Sequence, residues 1–147
     1  MNEFVGYYMK HGISPVSQDI SKLEKHIKRR LRLYQLLGIN AKSLQNSRIL
    51  EVGAGSGYNT LALLLSDGFG GKIDIVEPNK VGVEAMQKLF KDYKIPPQSY
   101  VLHPCFVEDF KPLEEYDFVF AEWFLPAFTQ QKRREILKAL LGTLSLK

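Results

Sequence analysis

Three glycines at alternate positions, Gly53, Gly55 and Gly57, follow directly on the short apolar run Arg48-Ile49-Leu50-Glu51-Val52. Glycine is the residue that lets a chain bend sharply at unusual backbone angles and lets a ligand approach the main chain without meeting a Cβ. Thr60 to Ser66 follows, rich in leucine (Leu61, Leu63, Leu64, Leu65) and too closely tied to the bend to be a second strand, so it reads as a buried helix. A strand, a glycine bend and a buried helix in immediate succession restrict the chain to folds in which helices cross over between parallel strands.

The remaining pattern agrees. Asp67-Gly68-Phe69-Gly70-Gly71 breaks the helix, and Lys72 to Glu77 reads as strand two. Asn79 to Tyr93 is a helix carrying Val81, Val83, Met86, Leu89 and Phe90, stopped by Ile95-Pro96-Pro97. Tyr100 to Leu102 is strand three and Tyr116 to Ala121 strand four; a last helix starts near Pro126 or Thr129 and runs to about Leu141. The class is α/β. At 147 residues the chain holds one compact domain. No apolar run reaches the ~20 residues that cross a bilayer, and MNEFVGYYMK lacks the basic-then-apolar start of a secretory signal. A cytoplasmic protein is expected. A single cysteine, Cys105, precludes an internal disulfide and leaves no ligand-spaced cluster for a metal.

The net charge of +4 is lopsided: residues 1–46 carry eight Lys/Arg against three acids, and residues 47–147 carry twelve against thirteen. Lys22, Lys25, Lys28, Arg29, Arg30 and Arg32 form the densest stretch. Ile20, Leu23, Ile27, Leu31 and Tyr34 recur at three- and four-residue steps beside them, so one helix is expected, with Ser17 or Asp19 as its cap and Gly38 as its stop. Its apolar side faces the body and its basic side faces solvent; a phosphate-binding stripe is the rival reading.

The bend fails the dinucleotide pattern G-x-G-x-x-G, because position 58 is Tyr58. That argues against a nicotinamide or flavin enzyme. Glu51, two places before the first glycine, lies at the edge of the cleft, where it repels a diphosphate and favours an ammonium-bearing ligand. Glu77 closes the next strand, where a carboxylate can accept hydrogen bonds from both hydroxyls of a ribose. The cleft calls for a nucleoside with positive charge and without phosphate.

At these residues the chain resembles the class I S-adenosylmethionine-dependent methyltransferases. Ile49-Leu50-Glu51-Val52-Gly53-Ala54-Gly55-Ser56-Gly57 matches their acid followed by alternating glycines, and Ile75-Val76-Glu77-Pro78-Asn79 matches their second strand with its ribose-binding acid. The resemblance runs from about Ser47 to Leu140. It implies a Rossmann-like parallel sheet in the order three, two, one, four, with helices on both faces. It also implies that Glu51, Gly53, Ala54, Gly55 and Gly57 hold the methionine end of S-adenosylmethionine, and that Glu77, followed by Pro78, holds the ribose. The family's adenine-contacting acid falls on Phe106, so Glu108, Asp109 or a backbone N–H takes that part. Residues 1–46 are expected as a helical arm or lid, with Tyr7 and Tyr8 either folding over the cofactor or packing into the core, and residues 47–147 as the cofactor-binding domain. Family members carry three further strands, so a C-terminal continuation or a second copy of the chain is expected to cover the open edge of strand four.

Methyl transfer from a sulfonium is a direct displacement that depends above all on alignment, and a base is needed only for a protonated acceptor. Glu122, just past strand four, is the candidate base; His103 reads as a strand-end histidine without a partner, and Cys105 as a small filler. Strand four lacks the Asn/Asp-Pro-Pro-Tyr/Phe signature of amino-group methylation, leaving Trp123 and Phe124 to wall an acceptor site or to pack under the last helix. The expected activity is methyl transfer to a small molecule or cell-envelope precursor. An RNA methyltransferase and a non-catalytic cofactor-binding or scaffolding module are the alternatives.

Overall fold

A computed structural model describes residues 10–11, 22–112, 114–122 and 124–145. Ser17, Asp19, Ile20, Tyr7, Tyr8 and Trp123, which carry expectations from the sequence, lie outside the described residues. The elements are α1 (Leu23–Leu36), α2 (Ala41–Leu44), β1 (Arg48–Val52), α3 (Tyr58–Leu64), β2 (Lys72–Val76), α4 (Lys80–Asp92), β3 (Tyr100–His103), β4 (Phe118–Phe120) and α5 (Gln130–Leu141). Short 3₁₀ turns at Pro97–Ser99 and Leu125–Ala127 precede β3 and α5.

The four strands form one parallel sheet in the order β3-β2-β1-β4, as expected. Central β1 is apolar apart from Arg48 and Glu51 and is buried along Ile49–Val52, because both its faces are covered. Ile49, Ile73, Ile75 and Phe120 face α1, α3 and α4 through Tyr34, Leu61, Met86 and Phe90, while Leu50, Val52, Val76 and Tyr116 face α5 through Ile136 and Leu140. Tyr34 and Leu44 share the first of these cores, so the stretch from Leu23 to Leu44 packs into the body of the molecule.

Several boundaries move from where the pattern puts them. The first helix starts at Leu23 after Lys22, which makes no side-chain cap, and Gly38 follows its end at φ +79°. The segment read as a plain polar connector holds α2, nucleated by Asn40, whose Oδ1 accepts from Lys42 N (3.0 Å) and Ser43 N (3.2 Å). The third helix begins at Tyr58 rather than Thr60 and ends at Leu64. Strand four narrows to Phe118–Phe120 because Tyr116 turns its backbone outward: Tyr116 N donates to Thr143 O (2.9 Å) and Ser145 N donates to Tyr116 O (2.9 Å). Residues 143–145 thus lie parallel to the chain leading into β4, on the side away from β1.

Candidate cofactor site at the carboxyl ends of the strands

The bend between β1 and α3 turns on its glycines. Gly53, Gly55 and Gly57 all take positive φ. At Gly57 (φ +78°), which caps α3, an added Cβ would lie 2.4 Å from Met86 Cγ; at Gly53 (φ +73°) it would lie 2.6 Å from the ring of Phe124. The segment after β4 therefore rests directly on the bend, and Phe124 packs there with Phe128, ring centroids 4.8 Å apart.

The two carboxylates picked out by spacing flank this bend. Glu77, just past β2 and buried, accepts from Gly55 N with Oε2 (2.7 Å) and from Asn79 N with Oε1 (2.8 Å). Burial raises its pKa, and these two N–H donors oppose the rise. Ionised, it keeps further lone pairs for a ligand's hydroxyls. Glu51, in β1 and only 4% exposed, accepts from Thr60 Oγ1 (2.6 Å) in the first turn of α3. Burial pushes its pKa up to about 7; Thr60 and the charge of Arg30 oppose the rise, and the charge of Glu77 adds to it. Pro78 links β2 to the Asn79 cap of α4, whose side chain accepts from Val81 N (3.1 Å).

A second polar group stands over the same end of the sheet. Glu122, past β4, forms an ion pair with Arg30 of α1 and accepts from Asn59 Nδ2 (3.0 Å) and, at 3.5 Å, from Tyr34 Oη. Asn59 Oδ1 in turn accepts from His26 Nε2 (3.0 Å), which fixes that ring nitrogen as the protonated one. The Arg30 guanidinium lies 5.4 Å from the centre of the Tyr34 ring. Tyr34 is buried, which with the neighbouring Glu51 charge lifts its pKa to about 12. The basic stretch was expected to face solvent, yet Arg30 turns inward. The signal was in the spacing: His26, Arg30 and Tyr34 repeat every four residues, alongside the apolar row Leu23, Ile27 and Leu31.

Other candidates lie apart from this cluster. Glu108 pairs with Lys132 of α5 (3.5 Å), and Asp109 is exposed in the turn after β3. His103, expected to stand alone, donates from Nε2 to Asp74 Oδ1 (2.8 Å); Asp74 also accepts from Tyr116 Oη (3.2 Å) and Arg48 Nη2 (3.2 Å). The correction comes from strand register, since β2 sets Asp74 two residues before Val76, the partner of His103, on the same face. Cys105 is partly buried against the α5 side, and burial raises its thiol pKa, so it is no activated nucleophile.

Three solved structures share this fold. Magnesium protoporphyrin IX methyltransferase (ChlM) from Synechocystis PCC 6803, with bound SAM, matches at a TM-score of 0.66 and 12% identity over 95% of this chain and 66% of its own. The N-terminal domain of EvdMO1 with SAH bound matches at 0.65 and 21% identity, over 88% and 48%. PKMT2 from Rickettsia typhi in complex with AdoHcy matches at 0.59 and 21% identity, over 69% and 20%. The fold is that of the class I methyltransferases. No family model and no curated protein matches the sequence. The chain spans from a fifth to just under two thirds of the length of these three methyltransferase-fold structures. Within the class I frame, the bend, Glu51 and Glu77 occupy the carboxyl ends of β1 and β2, where open α/β sheets bind their ligands.

Proposed function

We propose that the chain binds S-adenosylmethionine between Glu51, the glycine bend and Glu77, and serves as the donor-binding part of a methyltransferase. The observation that carries this reading is a pair of buried carboxyls on either side of a bend built on three positive-φ glycines, with only the small side chains of Ala54 and Ser56 between them. A cation with two vicinal hydroxyls meets its complement there. Glu77 offers acceptor sites to the ribose, Glu51 offers negative charge to the ammonium group, and the bend of Gly53, Ala54, Gly55 and Gly57 presents its backbone between them. When bound, S-adenosylmethionine supplies a methyl group already activated on a sulfonium. The chain contributes alignment, and Glu108 or Asp109 is the side chain proposed for the adenine amino group.

On the acceptor side, Glu122 is the proposed base for a protonated acceptor. Arg30, Asn59 and Tyr34 bind the same carboxylate, so uptake of a proton there requires α1 to loosen its grip. Residues 1–46 act in this reading as an arm over the donor-binding domain 47–147. The acceptor is proposed to be a small molecule or cell-envelope precursor, and the outer edge of β4 the place where a C-terminal continuation or second copy pairs.

Calorimetric titration of S-adenosylhomocysteine into the wild type and Glu77→Ala tests the donor site. The variant is expected to lose ~1–3 kcal/mol of affinity, the cost of removing a charged hydrogen-bond partner. Equal affinity in the two proteins would remove Glu77 from the site, and no binding to either would end the reading.

A further inference from the structure

The outward side of α1 takes no part in the contacts that His26, Ile27, Arg30 and Tyr34 make with the body. Projected at 3.6 residues per turn, Lys22, Lys25, Lys28, Arg29 and Arg32 fall on one half of the helix, and His26, Ile27, Arg30 and Tyr34, which grip the body, fall on the other. All five outward cations are exposed, and none is in an ion pair with another described residue. Leu33 and Leu36 share that outward half, with Leu37 just past its end; they are 39%, 78% and 64% exposed. Gly38 then stops the helix, so the leucines form its exposed tip.

Cations alone suit any polyanion. Cations interleaved with exposed leucines on one helical face suit a surface that is both anionic and apolar just beneath, which a phosphodiester chain is not. We infer that the outer face of α1 docks the protein onto an anionic phospholipid surface, with its lysines and arginines among the headgroups and Leu36 and Leu37 in the acyl boundary. No helix among the described residues is long and apolar enough to span a membrane, so this contact is peripheral. Because the inner face of α1 grips Glu122 beside the glycine bend, docking brings the carboxyl ends of the strands close to the lipid. Under the proposed function, which this last step rests on, the acceptor is then one presented at the membrane surface.

Vesicle flotation of the full chain tests the inference, using phosphatidylcholine with and without phosphatidylglycerol. Flotation is expected only with phosphatidylglycerol and is expected to fall as salt rises. Each cation near the surface is worth about fivefold in partitioning, so the combined Lys25→Glu, Arg29→Glu, Arg32→Glu variant should lose more than about a hundredfold. Leu36→Ser with Leu37→Ser should lower partitioning several-fold and leave its salt dependence in place. Retained binding of S-adenosylhomocysteine by these variants shows that the fold and donor site survive. Flotation indifferent to phosphatidylglycerol, no flotation at all, or binding of a single-stranded RNA through these cations with vesicles left free would each overturn the inference. Flotation by a protein that binds no S-adenosylhomocysteine would refute the donor-site reading alone.

Discussion

Glu51→Gln separates the stability of this chain from its ligand chemistry. The Glu51 carboxyl titrates near 7 in the folded protein against an ordinary value of 4.5, chiefly because it is buried. Below the ordinary value it is protonated folded and unfolded alike, and contributes nothing to the pH dependence. As the pH rises from 4.5 to 7, the unfolded chain releases a proton that the native chain keeps, so stability falls; above 7 the native state carries the full cost of a buried charge. That cost is about 3 kcal/mol. Glutamine keeps the size of the side chain and an oxygen to accept from Thr60 Oγ1. The variant should therefore match the wild type near pH 4.5 and exceed it by about 3 kcal/mol near pH 8, or roughly 6 to 12 °C in Tm for a chain of this length. Urea and thermal melts at the two pH values measure this directly. A gain of the same size at both, or a loss near pH 8, would refute the reasoning. The same change should weaken S-adenosylhomocysteine, whose ammonium loses its anionic partner. In the wild type that affinity should climb several-fold from about pH 6 to about pH 8 as Glu51 ionises, and a flat profile in calorimetry would exclude Glu51 from contact.

Two more substitutions probe the frame around the site. Gly57→Ala forces a side chain into a left-handed backbone and against Met86, and should cost roughly 1–3 kcal/mol in a urea melt; a change within a few tenths would mean the bend is relaxed. Arg30→Met strands the Glu122 carboxylate and should cost roughly 2 kcal/mol, with amide exchange accelerating across Leu23–Leu36 while β1 and β2 keep their protection. Uniform acceleration through all elements would show that the ion pair holds the whole fold rather than α1.

What could be read in the sequence was what one segment decides by itself. Gly53, Gly55 and Gly57 mark a bend, and the apolar runs on either side of it are strands or helices whatever surrounds them, so the class followed from the pattern, while the strand order came only with the family resemblance that these residues carry. The flanking acids could be read for the same reason, being tied to strand ends. What stayed hidden depended on partners far along the chain. Arg30 looked like one more solvated cation because Glu122 lies 92 positions away. His103 looked solitary because Asp74 reaches it only through the register of β2 against β3. The early end of β4 is set by Thr143 and Ser145 taking the backbone of Tyr116, which no local pattern announces.

The grip of α1 on Glu122 also orders events in time. Its anchoring point, at the end of β4, is synthesised well after residues 23–36, which therefore have nowhere complete to settle until β4 has joined the sheet around β1. Seating of α1 then reports that β4 has joined the sheet, and an environment-sensitive dye on its surface would record that late docking rather than the formation of the helix itself.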